Sequence, residues 1–448
     1  MHTIRILLTA LLCWVSAAAA AQSGSFQTFR FTAQDGQERP YIVYTPPHVE
    51  AGEPRPLLVH LHGAIASPQI RSDPLASVQR SSFLKLADAG RYYVLFPFGQ
   101  KDAGWFDPVG VNMVLGEVDA VLRDFPAADP DRVFLSGFSD GGSGTLYLAA
   151  THPDRFAGFI AMNGSLPVAA HLGSTPVYPQ NFNRKPLYII NTRSDMLYPA
   201  DMMQPVAEEL RRHHLDLIFS TPEGGHDMRY LPQEIPALTA FINRHRRQTP
   251  TQLIWESSGE AAQGSEWLHI ERLKPQAEPQ LWHRPYRLTL FNNKASFGMA
   301  FDPAYRNGLK VAGFGKENST AQNIGVRIGD IVLKMGETTM NHPYAPYLYL
   351  ADKRAGDPVD ITVLRDGRET VLRGRFNEGY HYQVFEKQPV SGKIRARIDR
   401  GRLLVDTSRV AAFRIDFSRL PQPVHSIVIN GKTHPAASLS GSQLFETE

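Results

Sequence analysis

The sequence contains a single cysteine, Cys13, among its 448 residues. Cys13 lies in an N-terminal stretch that we expect to be removed, so the mature chain is predicted to have no thiol. Disulfides, cysteine nucleophiles and cysteine-ligated metals are then excluded. A large excess of charge of one sign is also lacking, because the formal net charge is only +3. The basic residues are scattered except at residues 244–247. Nucleic-acid binding requires a larger basic surface, and we expect no nucleic-acid partner.

Long apolar runs are missing beyond the first residues. No later stretch approaches the ~18 uncharged apolar residues of a membrane helix, so no membrane span is predicted. The N-terminus itself has a basic start at residues 1–5, an apolar run at 6–15 and small residues at 16–21. This order is typical of a secretory signal peptide. We predict a signal peptide over residues 1–21 and export to the periplasm or the medium.

Motifs of metal- and cofactor-dependent enzymes are lacking as well. The sequence has no His-Glu-x-x-His, no Gly-x-x-x-x-Gly-Lys and no Gly-x-Gly-x-x-Gly after a predicted strand. Its 16 histidines are dispersed. We therefore expect no metal and no cofactor.

Residues 22–249 contain short apolar runs alternating with helix-length segments. The predicted strands are 41–44, 57–61, 92–96, 133–136, 158–162, 187–191 and 217–220. The predicted helices are 75–89, 112–124, 142–152, 199–214 and 234–246. Alternating strands and helices predict an α/β fold with a mostly parallel sheet and helices on both faces. Ligands of such sheets bind at the carboxyl ends of the strands.

The pattern changes after Pro250, where short strands dominate. Residues 250–285 and 377–448 are predicted to form one small β module in two pieces. The segment between them, residues 286–376, has a signature of its own and is called the inserted segment below.

The strongest chemical signal is the sequence Gly137-Phe138-Ser139-Asp140-Gly141, which follows a predicted strand and precedes a predicted helix. In this context Gly-x-Ser-x-Gly is typical of a nucleophile at a sharp strand-to-helix turn. The glycines are required because a Cβ would clash in so tight a bend. We predict that Ser139 is a nucleophile.

A serine hydroxyl is a weak nucleophile at neutral pH and requires a base and a group that orients the base. We predict His226 as the base, since two glycines precede it in a loop between a strand and the last helix. His213 and His214 end a helix and are weaker candidates. Asp195 follows the predicted strand 187–191 and is the expected orienting acid, with Asp201 as a weaker alternative inside the next helix.

An oxyanion hole requires two backbone N–H donors. Asp140 follows the nucleophile, and Ala64 lies in a His-Gly-Ala loop after the predicted strand 57–61. We assign these two amides, with Ile65 as an alternative to Ala64. Trp105 and Phe106 follow the strand 92–96, where they either line the substrate cleft or pack in the core.

The inserted segment contains the sequence Gly325-Val-Arg-Ile-Gly329-Asp330, and a short helix at 343–353 follows. In this pattern the segment resembles a PDZ domain, a family in which such a turn precedes a core strand. Phe297, Gly298 and Met299 stand where the family keeps its carboxylate-binding loop. The resemblance implies a groove that binds the C-terminus of a peptide.

Residues 26–248 resemble the α/β-hydrolase esterases that include feruloyl esterases and polyhydroxybutyrate depolymerases. The resemblance is carried by His62-Gly63, by the residues around Ser139, by residues 152–156 and by Asp195 and His226. It implies an exported carboxylic ester hydrolase that acts on an ester substrate through Ser139, His226, Asp195 and an acyl-enzyme. The alternatives are a polyester depolymerase, a serine peptidase that recruits substrates with its PDZ module, and a binding protein with an idle hydrolase fold.

Overall fold

The computed structural model describes residues 24–49, 52–183, 185–212, 216–258, 263–305, 307–315, 317–385, 389–435 and 439–447. The predicted signal peptide, His213 and His214 lie outside the described residues. Within the described part, no helix is long and apolar enough to cross a membrane.

The first part of the chain builds an eight-stranded sheet in the order β1-β2-β4-β3-β5-β6-β7-β8. Its strands are β1 (Ser25–Thr32), β2 (Glu38–Thr45), β3 (Arg55–Leu61), β4 (Tyr93–Pro97), β5 (Ala128–Phe138), β6 (Gly158–Met162), β7 (Leu187–Ile190) and β8 (Leu217–Ser220). The strands from β4 to β8 in this order pair in parallel, whereas β1 and β2 are antiparallel. The predicted mostly parallel sheet is confirmed. β1 was not predicted; its residues are only partly buried because it pairs with β2 alone at the edge.

Helices cover both faces of this sheet. They are α1 (Pro74–Val78), α2 (Leu84–Gly90), α3 (Pro108–Asp124), α4 (Asp140–Thr151), α5 (Leu166–Leu172), α6 (Ala200–Arg212) and α7 (Leu231–Arg244). One hydrophobic core holds the apolar residues of α3 to α6, and a second core holds those of α1, α2 and α7. Successive residues of a strand alternate between these cores, as Tyr41 and Ile42 of β2 do, because side chains of a strand alternate between its faces.

The single helix predicted over residues 75–89 is wrong, since two short helices occupy this region. Asp73 caps the first of them by accepting a hydrogen bond from Ala76 N. Between them, Ser81 N donates to Val78 O and Leu84 N donates to Ser81 O, which closes a turn instead of continuing the helix. Serine favours such turns because its hydroxyl competes for backbone groups.

The remaining chain is rich in β structure. The strands before the inserted segment's core are β9 (Gln252–Ser257), β10 (Gln263–Ser265), β11 (Leu268–Leu273) and β12 (Thr289–Asn292). Those within it are β13 (Met299–Phe301), β14 (Leu309–Phe314), β15 (Ile331–Met335), β16 (Thr338–Thr339), β17 (Pro358–Arg365) and β18 (Arg368–Arg375), with helices α8 (Thr320–Asn323) and α9 (Ala345–Leu350). The last strands are β19 (Tyr380–Gln383), β20 (Gly392–Asp399), β21 (Arg402–Ser408), β22 (Val410–Asp416), β23 (Ser426–Ile429), β24 (Lys432–Pro435) and β25 (Ser442–Glu446).

Two sheets combine strands from before and after the inserted segment. One has the order β10-β11-β22-β25 and the other β24-β23-β21-β20-β9, and a hydrophobic core lies between them. β13 to β18 form a separate sheet with its own core, which extends from Ala295 to Phe376. β12 pairs with β19 and brings the two ends of this unit together. Leu288 and Leu290 pack on the core of the first sheet, so the separate core begins later than residue 286.

Candidate active site

Ser139 occupies a strained turn between β5 and α4. Its backbone has φ 61° and ψ −120°, and Ser139 N donates to Met162 O at 3.0 Å. A Cβ on Gly137 would lie 2.2 Å from Gly141 O, and one on Gly141 would lie 2.0 Å from Leu61 O. Neither position therefore tolerates a side chain. The tight turn lifts the Ser139 hydroxyl above the carboxyl edge of the sheet.

Three side chains meet at this edge, from the turn after β5 and the loops after β7 and β8. His226 Nε2 lies 2.8 Å from Ser139 Oγ. His226 Nδ1 lies 2.8 and 3.0 Å from the carboxylate oxygens of Asp195. Because a carboxylate only accepts hydrogen bonds, Nδ1 carries the proton and Nε2 is free to accept the hydroxyl proton of Ser139. Asp201 is exposed in the first turn of α6, and it is Asp195 that contacts His226.

The carboxylate of Asp195 is buried and has further donors. Leu197 N and Tyr198 N donate to its Oδ1 at 2.7 and 2.9 Å. Asn163 Nδ2 donates to its Oδ2 at 2.6 Å. Burial raises the pKa of Asp195, but the hydrogen bonds from these groups and from His226 outweigh it and hold the pKa below its usual value.

Asn163 was missed by the sequence analysis. It follows β6 directly, has a positive φ of 45°, and is fully buried. Its amide also donates to Thr192 Oγ1 at 2.9 Å. Its place at the carboxyl end of a central parallel strand was the available signal, since ligands and reacting groups gather at that edge.

The loop after β3 lies against the serine turn. A Cβ on Gly63 would lie 2.8 Å from Ser139 Cβ. Ala64 has a φ of 57°, and Ile65 N donates to Asp140 Oδ2 at 3.2 Å. In the described part of the chain, the amides of Ala64 and Asp140 have no hydrogen-bond acceptor. The amide of Ile65 is engaged, which favours Ala64 as the donor beside Ser139.

Trp105 and Phe106 are buried, with exposed fractions of 0% and 6%. Both side chains belong to the hydrophobic core of the first sheet, which is one of the two alternatives that the sequence left open. Trp105 Nε1 donates to His62 O at 2.9 Å. The indole therefore supports the loop that carries Gly63 and Ala64 from behind.

Two cavities lined by described residues adjoin the site. The smaller, of about 350 Å³, is lined in part by Gly63 of the loop after β3, by Phe138, which precedes Ser139, and by Met228, two residues after His226. The larger, of about 710 Å³, lies between the inserted segment and residues 193–199. We call this larger cavity the junction cavity. We call residues 193–199 the acid loop, because the loop carries Asp195.

The residues of the predicted carboxylate loop lie at or near the junction cavity. Gly298 lines it, with a φ of 65°, and Gly298 O accepts a hydrogen bond from Gly315 N at 3.0 Å. Phe297 is buried in the core of the inserted segment, and Met299 begins β13. Tyr347 and Leu350 of α9 line the same cavity.

No group of histidine, cysteine, aspartate or glutamate side chains among the described residues is arranged to hold a metal ion. The sheet order, the helices on both faces and the serine turn define an α/β-hydrolase fold in the N-terminal half of the chain. Residues 49–246 match the model of the phospholipase/carboxylesterase family. This match spans less than half of the chain, and it shows that the segment is similar to an esterase family of hydrolases.

Individual proteins are similar to parts of this chain. Poly(3-hydroxyalkanoate) depolymerase C of Paucimonas lemoignei is 30% identical over 131 residues, which are 26% of this chain and 30% of that protein. The putative esterase NocK of Nocardia uniformis subsp. tsuyamanensis is 32% identical over 187 residues, which are 39% of this chain and 50% of that protein. The chain thus spans half or less of these relatives' length. A solved ferulic acid esterase is 17% identical, with a TM-score of 0.40, over 50% of this chain and 99% of that one.

Proposed function

We propose that the protein is an exported carboxylic ester hydrolase in which Ser139, His226 and Asp195 form a catalytic triad. The observation that carries the proposal is the continuous hydrogen-bonded series from Ser139 Oγ through the imidazole of His226 to Asp195. The signal-peptide pattern of residues 1–21 supports export.

The proposed reaction begins when His226 Nε2 takes the proton of Ser139 as its Oγ attacks the ester carbonyl carbon. The carbonyl oxygen becomes an oxyanion, which the amides of Ala64 and Asp140 stabilise. The intermediate collapses, the bond to the alcohol oxygen breaks, and His226 gives its proton to the leaving alcohol. A water molecule, deprotonated by His226, then attacks the acyl carbon. The bond to Ser139 Oγ breaks, His226 returns the proton to Ser139 Oγ, and the acid leaves. Asp195 keeps Nδ1 protonated and stabilises the imidazolium that forms twice in the cycle.

The inserted segment supports a more specific proposal, in which it binds a peptide C-terminus. Gly298 and α9 border one cavity, and the positive φ of Gly298 suits a loop that presents backbone amides to a carboxylate. An extended peptide would add a strand beside β13, as in PDZ recognition. Fluorescence anisotropy with a labelled peptide library tests this. Binding that disappears when the terminal carboxylate is amidated supports the proposal.

A serine peptidase with such a recruiting groove is the second candidate, because the same triad cleaves peptides. A polyester depolymerase is a narrower form of the first. Hydrolysis of p-nitrophenyl, feruloyl, polyester and peptide substrates separates these functions. We expect hydrolysis of a short p-nitrophenyl ester, none of peptides, and labelling of Ser139 by a fluorophosphonate probe.

Ser139→Ala supplies the matched control. We expect it to lose labelling and to lower kcat by ~10⁴-fold or more, since the members of a triad act as a unit. If wild-type protein hydrolyses no ester and the probe leaves Ser139 unlabelled, the chain is a binding protein with an idle hydrolase fold and the proposal fails.

A further inference from the structure

Lys294 belongs to the inserted segment, but its side chain reaches the acid loop. Its ammonium donates to Met196 O at 3.2 Å and to Leu197 O. The side chain is partly buried, and no carboxylate of the described residues forms an ion pair with it. The ammonium is thus held mainly by two backbone carbonyls of the acid loop.

The same two peptide groups hold Asp195. The peptide that presents Met196 O to Lys294 presents Leu197 N to Asp195 Oδ1, at 2.7 Å. The next peptide presents Leu197 O to Lys294 and Tyr198 N to Asp195 Oδ1, at 2.9 Å. Each peptide therefore lies between a cation and an anion. A donor on its carbonyl polarises the peptide and strengthens the bond that its N–H makes.

We propose that Lys294 is a positioning residue for Asp195, through which the inserted segment completes the acid side of the hydrolase site. The inference rests on the proposed function. Groups that orient metal ligands from behind lower activity by ~10-fold to 100-fold when they are lost, and we expect an effect of this order for a group that orients Asp195.

The backbone of Lys294 is itself held in place. Lys294 N donates to the side chain of Asn292 at 3.0 Å, and Lys294 forms an isolated β-bridge with Arg354. Asn292 ends β12, which is paired with β19. The position of the ammonium therefore depends on the folded base of the inserted segment.

The charge of Lys294 depends on its surroundings. Burial lowers the pKa of Lys294 to about 8, Asp195 and Asp201 oppose this shift, and Arg354 adds to it. The other titratable side chains that line this cavity are Arg193, Tyr198, Tyr347, Asp352, Lys353, Glu378 and Tyr380. The ammonium loses its proton as pH rises through about 8, which removes the positive charge from the two peptide carbonyls. A fall in kcat on the alkaline side is the expected consequence.

The test compares full-length wild type with Lys294→Met and Lys294→Arg on a p-nitrophenyl ester, with kcat and KM measured from pH 6 to 10 and active sites counted with a fluorophosphonate. We expect Lys294→Met to lower kcat about 10-fold at pH 7 with KM within about 2-fold, and to lack the alkaline fall. Lys294→Arg should restore most of kcat and also lack the fall, because arginine stays charged. Lys310→Met removes a lysine of the same segment outside the junction cavity and should behave as wild type.

Two results would overturn the role of Lys294 alone, while wild type is active and labelled at Ser139. One is an unchanged kcat and pH profile in Lys294→Met. The other is a loss of active sites with an unchanged profile per active site, which would indicate only a structural role. Absence of both hydrolysis and labelling in wild type would instead overturn the proposed function, and the role of Lys294 with it.

Discussion

The backbone conformation of Ser139 is energetically unfavourable, but it places the hydroxyl where His226 can reach it. Its positive φ of 61° is unfavourable for a residue with a Cβ, but the turn exposes its hydroxyl to His226. Residues held in such conformations cost about 1–3 kcal/mol and persist where the surrounding structure enforces them. In this protein, the packing of Gly137 and Gly141 against neighbouring backbone enforces the turn.

This strain predicts a difference between two inactive variants. Ser139→Gly should be more stable than Ser139→Ala by about 1 kcal/mol, because glycine adopts this φ without a Cβ clash. Guanidinium unfolding at pH 7.5 measures the difference. Equal stability of the two variants would mean that the turn stores no strain at Ser139.

Asp195 is predicted to act through the tautomer of His226. Asp195→Asn replaces an acceptor with a group that can also donate, so the proton of His226 is no longer held at Nδ1. We expect kcat to fall by ~10²-fold or more at neutral pH in a protein that still folds. Near-normal activity would mean that another acid serves, and Asp201→Asn would then be compared.

His60 makes the stability of the fold depend on pH. Burial lowers the pKa of His60 to about 3 from a usual value of 6.5, so below pH 6.5 the unfolded chain binds a proton that the folded chain excludes. Stability is therefore lost as pH falls from 6.5 toward 3. The free energy of unfolding should be about 2 kcal/mol lower at pH 5 than at pH 7.5 from this residue.

The measurement is guanidinium unfolding of wild type and His60→Asn at both pH values. The free energy of unfolding should differ less between pH 5 and pH 7.5 in His60→Asn than in wild type. Replacement of the exposed His342 by Asn is the control and should leave the wild-type difference in place. If His60→Asn keeps the full pH dependence, His60 is not its source.

At the scale of elements, the site depends on how closely the loop after β3 approaches the turn before α4. Gly63→Ala would place a Cβ 2.8 Å from Ser139 Cβ and 3.2 Å from Phe138 O. The loop must then move and carry the Ala64 amide away from the oxyanion. We expect kcat/KM for a small ester to fall by ~10²-fold, as when one oxyanion donor is lost.

The control for this change is Gly313→Ala, because a Cβ at Gly313 meets no atom within 4 Å. This variant should keep wild-type kinetics. If kcat/KM of Gly63→Ala stays within about 2-fold of wild type, the Ala64 amide does not contribute an oxyanion contact of the usual strength.

At the scale of the whole molecule, the inserted segment has a hydrophobic core of its own, so we expect that it can be removed without unfolding the rest of the chain. Asn292 and Tyr380 are partners in the β12–β19 pair, so residues 293–379 can be replaced by an Asn-Gly turn. This cut keeps Leu288 and Leu290, which pack on the core of the first sheet. We expect the shortened protein to fold and to lose about 10-fold in kcat on small esters, as Lys294→Met does.

Substrate comparisons assign the remaining roles of the segment. A larger loss on a polymer or protein-bound substrate than on a small ester supports recruitment by the segment. If kcat on small esters falls much further in the shortened protein than in Lys294→Met, the segment also controls access to Ser139. Unchanged kinetics on every substrate would exclude both roles.

Local patterns in the sequence were enough for most elements of the first sheet, though not for β1 or the break between α1 and α2, and for the three side chains at its edge. β6 and β8 have the predicted bounds because their apolar runs are short and sharply ended. Ser139, Asp195 and His226 each follow a predicted strand, and parallel strands end at one edge, so their approach follows from chain order.

Contacts between distant segments were decided by the tertiary structure alone. The burial of Trp105, the contact of Asn163 with Asp195 and the reach of Lys294 to the acid loop join residues far apart in the chain. Such pairs cannot be predicted from the periodicity of the sequence, because a side chain's partners depend on how separate elements pack. The sequence by itself therefore determined the α/β fold and the predicted triad, whereas packing decided what surrounds and supports them.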